Sequence, residues 1–127
     1  MTRTGQDTLN SARTLEVGDK TYHYYGLDAV ADKGWGELSK LPFTLKVLLE
    51  NLLRHEDGGS VTVEDIGALV RWPEQRRSDR EINYRPARVL MQDLTGVPAV
   101  VDLAAMRDAI ARAGGDQQRI NPLARAM

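Results

Sequence analysis

The chain has 127 residues, 42% of them hydrophobic, with 17 basic and 18 acidic side chains and no cysteine. That length suffices for one domain with a buried core, and a formal charge of -1 sets up no long-range field for nucleic acid or an anionic membrane. The lack of cysteine excludes disulfides, zinc–thiolate centres, cysteine nucleophiles and any iron–sulfur cluster ligated by these residues alone, and no stretch approaches the roughly 20 apolar residues that span a bilayer.

Residues 1–13 are polar and aperiodic and read as a flexible N-terminal arm. They lack the apolar run of a secretory signal, so the expected location is cytoplasmic. In "TLEVGDKTYHYYGL" Leu15 and Val17 alternate, Gly18-Asp19 supplies a turn, and Thr21–Tyr25 is rich in strand formers. This predicts a β-hairpin. Its clustered tyrosines read as a half-buried strand face with hydroxyls reaching water rather than as a base-stacking platform.

"LPFTLKVLLENLLRHEDGG" carries the clearest helical pattern: Leu45, Leu48, Leu49 and Leu52 make one apolar stripe. Pro42 suits its first turn and Gly58-Gly59 its end. A second helix begins at Thr62, where Thr62 and Asp65 form a capping box with Asp in place of Glu. Ile66, Leu69 and Val70 supply its apolar side, and Pro73 is expected to stop it. Arg71, Arg76, Arg77, Arg80, Arg85 and Arg88 then lie in a loop-like stretch beside Trp72 and Tyr84. Glu74, Asp79 and Glu81 interrupt the cluster, which favours a surface ion-pair patch over a phosphate-binding one.

"EINYRP" reads as a strand ended by Pro86, and "RVLMQD" as a second strand, apolar enough to be buried on both faces. From Pro98 to Ala113 the period becomes helical, with Val100, Leu103, Met106, Ile110 and Ala113 on one side and Gly114-Gly115 closing the element. Strand, loop and helix over 88–113 make half of a βαβ unit. A parallel strand is expected next, and "DQQRINPL" leads toward it.

Ligands of open α/β sheets gather outside the carboxyl ends of the strands, where Gln92 and Asp93 stand before a turn and the positive end of a helix. The glutamine amide is donor and acceptor at once and can hold a carboxylate or hydroxyl without changing charge. Turn chemistry is the alternative for both residues, with Asp93 bonding to the Thr95-Gly96 backbone. His23, in the aromatic strand pattern, and His55, near a helix end, read as structural, their spacing being unlike that of a metal pair. No phosphate loop, nucleophile triad or carboxylate pair with a task stands out.

"DKTYHYYGL", "LPFTLKVLLENLLRHEDG" and "REINYRPARVLMQDLTGVPAVVDLAAMRDA" closely resemble the N-terminal portion of the aconitase family, nearest its monomeric bacterial type, over about Tyr22 to Pro122. The resemblance implies an α/β chain whose residues 14–123 form part of a three-layer α/β/α domain: the hairpin, two or more helices, then the strand–loop–helix unit. Residues 124–127, "ARAM", are expected to depart from the family. It further implies a [4Fe–4S] hydro-lyase acting on citrate and isocitrate through cis-aconitate, with a cluster iron as Lewis acid and a serine from a distant domain as base. Gln92 matches the family's substrate-binding glutamine. No catalytic residue or metal ligand is expected in these residues, because the family's cluster cysteines, substrate arginines and serine lie further along. The expectation is therefore an N-terminal segment, inactive by itself, with apolar surface left uncovered. Alternatives are a subunit of a split hydro-lyase completed in trans (including a 2-methylcitrate-type dehydratase), a stand-alone RNA-binding module, or a relic.

Overall fold

In the computed structural model, which describes residues 5–122 and 124–126 (Thr95, Arg125 and Ala126 by backbone alone), β1 (Ala12–Val17) and β2 (Lys20–Tyr25) pair antiparallel in the register Val17↔Lys20 to Ala12↔Tyr25. Two residues connect them. Gly18 takes φ +62 and Asp19 does not share that positive φ, the pattern of a type II′ turn, whose twist matches that of the strands. Opposed residues share a face, so Leu15, Val17, Tyr22 and Tyr24 lie together on the solvent side, 44–54% exposed. On the other face only the Ala12–Tyr25 end reaches the core, with Tyr25 8% exposed and the Arg54 guanidinium 4.8 Å from its ring centroid.

Two short 3-10 segments, Leu27–Lys33 and Leu38–Lys40, lead to α1 (Phe43–His55). Pro42 is its N-cap. Leu49 and Leu52 of the expected stripe are buried, Leu45 and Leu48 pack partly against the core, and Leu53 joins them. Glu56 ends the helix two residues before the glycines. There Asp57 organises a tight turn, accepting from Gly59 N (3.0 Å), Val61 N (2.9 Å) and Ser60 Oγ (2.6 Å).

The capping box at α2 (Val63–Gln75) forms as the sequence predicts: Asp65 N donates to Thr62 Oγ1 and Thr62 N to Asp65 Oδ2. Ile66, Leu69 and Val70 are buried. Pro73, however, lies inside the helix. It removes one bond, to the Leu69 carbonyl, and the helix continues to Gln75 before Arg76 turns left-handed (φ +52) with its N–H on Trp72 O. Tyr25, Val30, Leu41, Val61 and the buried side chains of α1 and α2 make one core. Among the described residues, the polar ones buried are Asp7, Ser11, Glu56 and Asp65. Gln6 N donates to the Glu56 carbonyl, Thr8 N to its carboxylate, and Ser11 N and Oγ to Asp7. Gly5 passes so close to α1 that a Cβ would stand 2.6 Å from the Glu56 carbonyl oxygen.

"EINYRP" does not form a strand, which corrects the sequence expectation. Asn51 of α1 supplies the partner a neighbouring strand would have offered: its Nδ2 donates to Arg85 O (2.7 Å) and its Oδ1 accepts from Arg85 N (3.1 Å). A side-chain amide satisfies that backbone as well as a ladder does.

The chain divides into two units at this point, the first ending at Arg85 and the second starting at Pro86. The second unit contains β3 (Arg88–Val89), α3 (Asp93–Arg112), a 3-10 turn at Gln117–Arg119 and β4 (Arg125–Ala126), with β3 and β4 parallel in the register Arg88↔Arg125. The expected parallel partner is therefore present, within residues 124–127, and β3–α3–β4 is a minimal βαβ unit. Residue burial departs from expectation: Arg88, Val89 and Leu90 are exposed, and no described residue of this unit is fully buried. A two-stranded pair offers too little surface to cover both faces of "RVLMQD". The architecture as a whole is mixed α/β, with a hairpin first and helices after it.

Candidate functional site at the start of α3

Gln92 follows β3 by three residues and is the N-cap of α3, with φ −76 and ψ 164. Asp93, Leu94, Thr95 and Gly96 are the first helical turn rather than a loop, and Gly96 N closes it on the Gln92 carbonyl at 2.8 Å. This corrects the expected start at Pro98. Gly96 and Pro98 resemble breakers in the sequence, but Gly96 keeps its bond to the Gln92 carbonyl and Pro98 forfeits only the one to the Leu94 carbonyl. Asp93 in the first turn was the legible signal, since an acidic side chain there complements the positive end of the helix.

Gln92 makes no side-chain cap bond to its own helix. It and Asp93 border an open groove of about 880 Å³ whose other walls are apolar: Met91, Val97, Val100 and Pro122 among them. The site thus combines one neutral amide, one carboxylate and the amide end of a helix over an aliphatic floor. Such a set can hold and orient a small oxygen-rich molecule. It holds no group of three or more His, Cys, Asp or Glu side chains suited to a metal, and neither does any other place among the described residues.

At the far end, α3 closes as the sequence predicts, with Gly114 at φ +76 and the Gly114 and Gly115 N–H groups bonded to Ala111 O and Ile110 O, a Schellman pair. Arg107 then reaches from α3 to the segment before β4, donating to Ile120 O (3.1 Å) and Asn121 Oδ1 (2.8 Å). This tie, which sets the return path of the chain, joins residues too far apart for spacing or periodicity to reveal it.

The other candidates lie in the first unit. Arg77, Arg80 and Arg85 form ion pairs with Asp79, Asp65 and Asp57, the surface-patch outcome for the arginine cluster. Burial alone would raise the Asp65 pKa, but the Thr62 amide and the Arg80 guanidinium hold its carboxyl below the usual value. Asp57 is also held down, first by the Ser60 hydroxyl and then by the Val61 and Gly59 amides. His23 stands on β2 opposite Thr14, and His55 is the last residue of α1. The two histidines belong to separate elements, as their sequence spacing implies.

Comparison with known proteins gives a match to the aconitase (aconitate hydratase) family over residues 64–127. It includes Gln92 and extends to residue 127. The chain is similar to the aconitate hydratase A of Pseudomonas aeruginosa (67% identity over 92% of the chain), of Escherichia coli (64% over 89%) and of Corynebacterium diphtheriae (52% over 93%). It spans 13%, 13% and 12% of the length of those relatives.

Proposed function

Because the chain belongs to the aconitase family, we propose that it forms one wall of a hydro-lyase site in which Gln92 contacts a tricarboxylic acid. The reaction is the interconversion of citrate and isocitrate through cis-aconitate, and a cytoplasmic setting goes with it. The observation that carries this reading is that the family match covers the whole β3–α3–β4 unit, including Gln92 and its groove.

Within that reaction Gln92 binds and orients. Its Nε2–H donates to a substrate carboxylate or hydroxyl and its Oε1 accepts from a hydroxyl, with no change of charge as water leaves and returns. The N-terminal turn of α3 adds a positive dipole end facing an anion, and the aliphatic walls exclude competing water from that side. A tricarboxylate needs cationic partners as well. Those and the catalytic base come from sequence outside these 127 residues, in the same polypeptide or in trans.

The family's [4Fe–4S] cluster requires thiolate ligands. These residues include no cysteine and do not fit such a group. The 127 residues by themselves are accordingly expected to show no citrate turnover after anaerobic reconstitution with iron and sulfide, and measurable cis-aconitate formation would overturn that. Gln92 is tested separately by titrating the isotope-labelled chain with citrate. The side-chain NH₂ signals of Gln92 and the amides of Asp93–Gly96 should shift together, and Gln92→Ala should abolish the response of those amides. No shift at any of them would remove Gln92 from the proposed wall.

A further inference from the structure

We propose that Asp57–Gly58 is a latent isoaspartate site, held closed by the hydrogen bonds of its own turn and by Arg85. The sequence contains one Asp–Gly pair and no Asn–Gly pair. Among pairs that begin with Asp, Asp–Gly is the most reactive in this rearrangement, because a following glycine puts no side chain around the attacking nitrogen and moves freely. In the reaction the Gly58 nitrogen bonds to Cγ of Asp57. The amide proton and one carboxyl oxygen with its proton leave as water, giving a succinimide. Water then adds back and opens the ring at the former main-chain carbonyl, so the chain runs through the side-chain carboxyl with no net change in mass.

Both reacting groups are occupied in the fold. Gly58 N–H donates to Val61 O at 3.1 Å, beside Asp57 N–H on the same carbonyl at 3.0 Å. Asp57 Oδ1 accepts from Gly59 N and Val61 N, and Oδ2 from Ser60 Oγ at 2.6 Å and Arg85 Nη2 at 3.0 Å. Arg85 also donates to Ser60 Oγ at 2.6 Å, so one guanidinium holds both side chains of the turn. Cyclisation needs Cγ to leave four donors and the Gly58 nitrogen to leave its acceptor. It also needs a protonated carboxyl, since hydroxide leaves poorly from a carboxylate, and this one is held ionised by its donors. Arg85 is fixed in turn by the two bonds of its backbone to Asn51. The lock is therefore a property of the tertiary fold: it joins the end of α1 to a segment 28 residues on. Local opening of that segment would release a target for an enzyme that methylates isoaspartyl carboxyls.

The test is ageing of the full chain at 37 °C and neutral pH, with isoaspartate read by enzymatic carboxyl methylation and peptide mapping. The folded wild type should accumulate it at Asp57 far more slowly than the same chain in urea. Arg85→Gln should raise the rate about fivefold and Ser60→Ala about twofold, following the open population of the turn. Each variant's urea transition is recorded alongside. Should Arg85→Gln lose its cooperative transition, Ser60→Ala, which leaves Arg85 and Asn51 in place, decides. Equal rates in folded wild type and folded variants, or a folded wild-type rate matching the urea control, would overturn the proposal.

Discussion

His55 stands at the end of α1 with Nδ1 buried and, among the described residues, without a hydrogen-bond partner. Burial, then the nearby Arg85 and Arg54 cations, lower its pKa below the ordinary 6.5, against a smaller opposing pull from Glu50 and Asp57. A depressed histidine pKa means the unfolded chain binds the proton more tightly. Stability is then complete above about pH 6.5 and falls as pH drops from there through the lowered folded value. Urea midpoints measured between pH 7.5 and 5 should show that decline in the wild type and a shallower one in His55→Gln. Parallel profiles would show that His55 titrates as freely in the fold as out of it. The carboxylates of Asp57 and Asp65, also held below their ordinary value of 3.8, lose their contribution only in more acid solution, so the two effects separate on the pH axis.

Among the elements, α3 shows most directly how the ends of a helix govern its extent. Its start combines Gly96 in the first turn and Pro98 just after it, both poor in helix interiors, and tolerates them because only the one bond from Pro98 is lost. Its end depends on Gly114, which takes a left-handed conformation that a Cβ resists. Gly114→Ala should cost about 1 kcal/mol, seen as faster amide exchange at Gly114 and Gly115 with no change in α1 or α2. Unaltered exchange there would mean that the bonds to Ala111 and Ile110 do not close the helix in solution. By the same reasoning Pro73 does not end α2, because one missing N–H late in a helix leaves the preceding turns intact.

The molecule as a whole is uneven in packing. The first unit buries Leu49, Leu52, Leu53, Ile66 and Val70 to 1% exposure or less, while the second leaves Leu90, Leu94, Val97, Val100 and Val101 58–82% exposed. Apolar burial drives cooperative stability, so hydrogen exchange should find the amides of α1 and α2 the best protected and those of α3 protected less, though still above the unfolded rate. The exposed aliphatic surface should also make the weight-average mass rise with concentration in sedimentation velocity. A concentration-independent monomer with α3 as protected as α1 would sink this picture.

Local chemistry was legible in the residues themselves. The hairpin followed from alternation around Gly18-Asp19, α1 and α2 from apolar spacing and the Thr62–Asp65 box, and the end of α3 from Gly114-Gly115, because each depends on side chains within a few positions of one another. Gln92 stood out on similar grounds, as an amide ahead of a helix, and the family resemblance gave it a role that spacing left open. What the sequence could not determine was which extended segments find a strand partner and which apolar faces find cover. "EINYRP" pairs with the Asn51 side chain instead of a strand, "RVLMQD" keeps only Arg88–Val89 as strand, and Arg85 meets Asp57. Those outcomes rest on contacts between residues far apart in the chain, whose free energy depends on what else is close enough to pack or bond, and only the tertiary structure decides that.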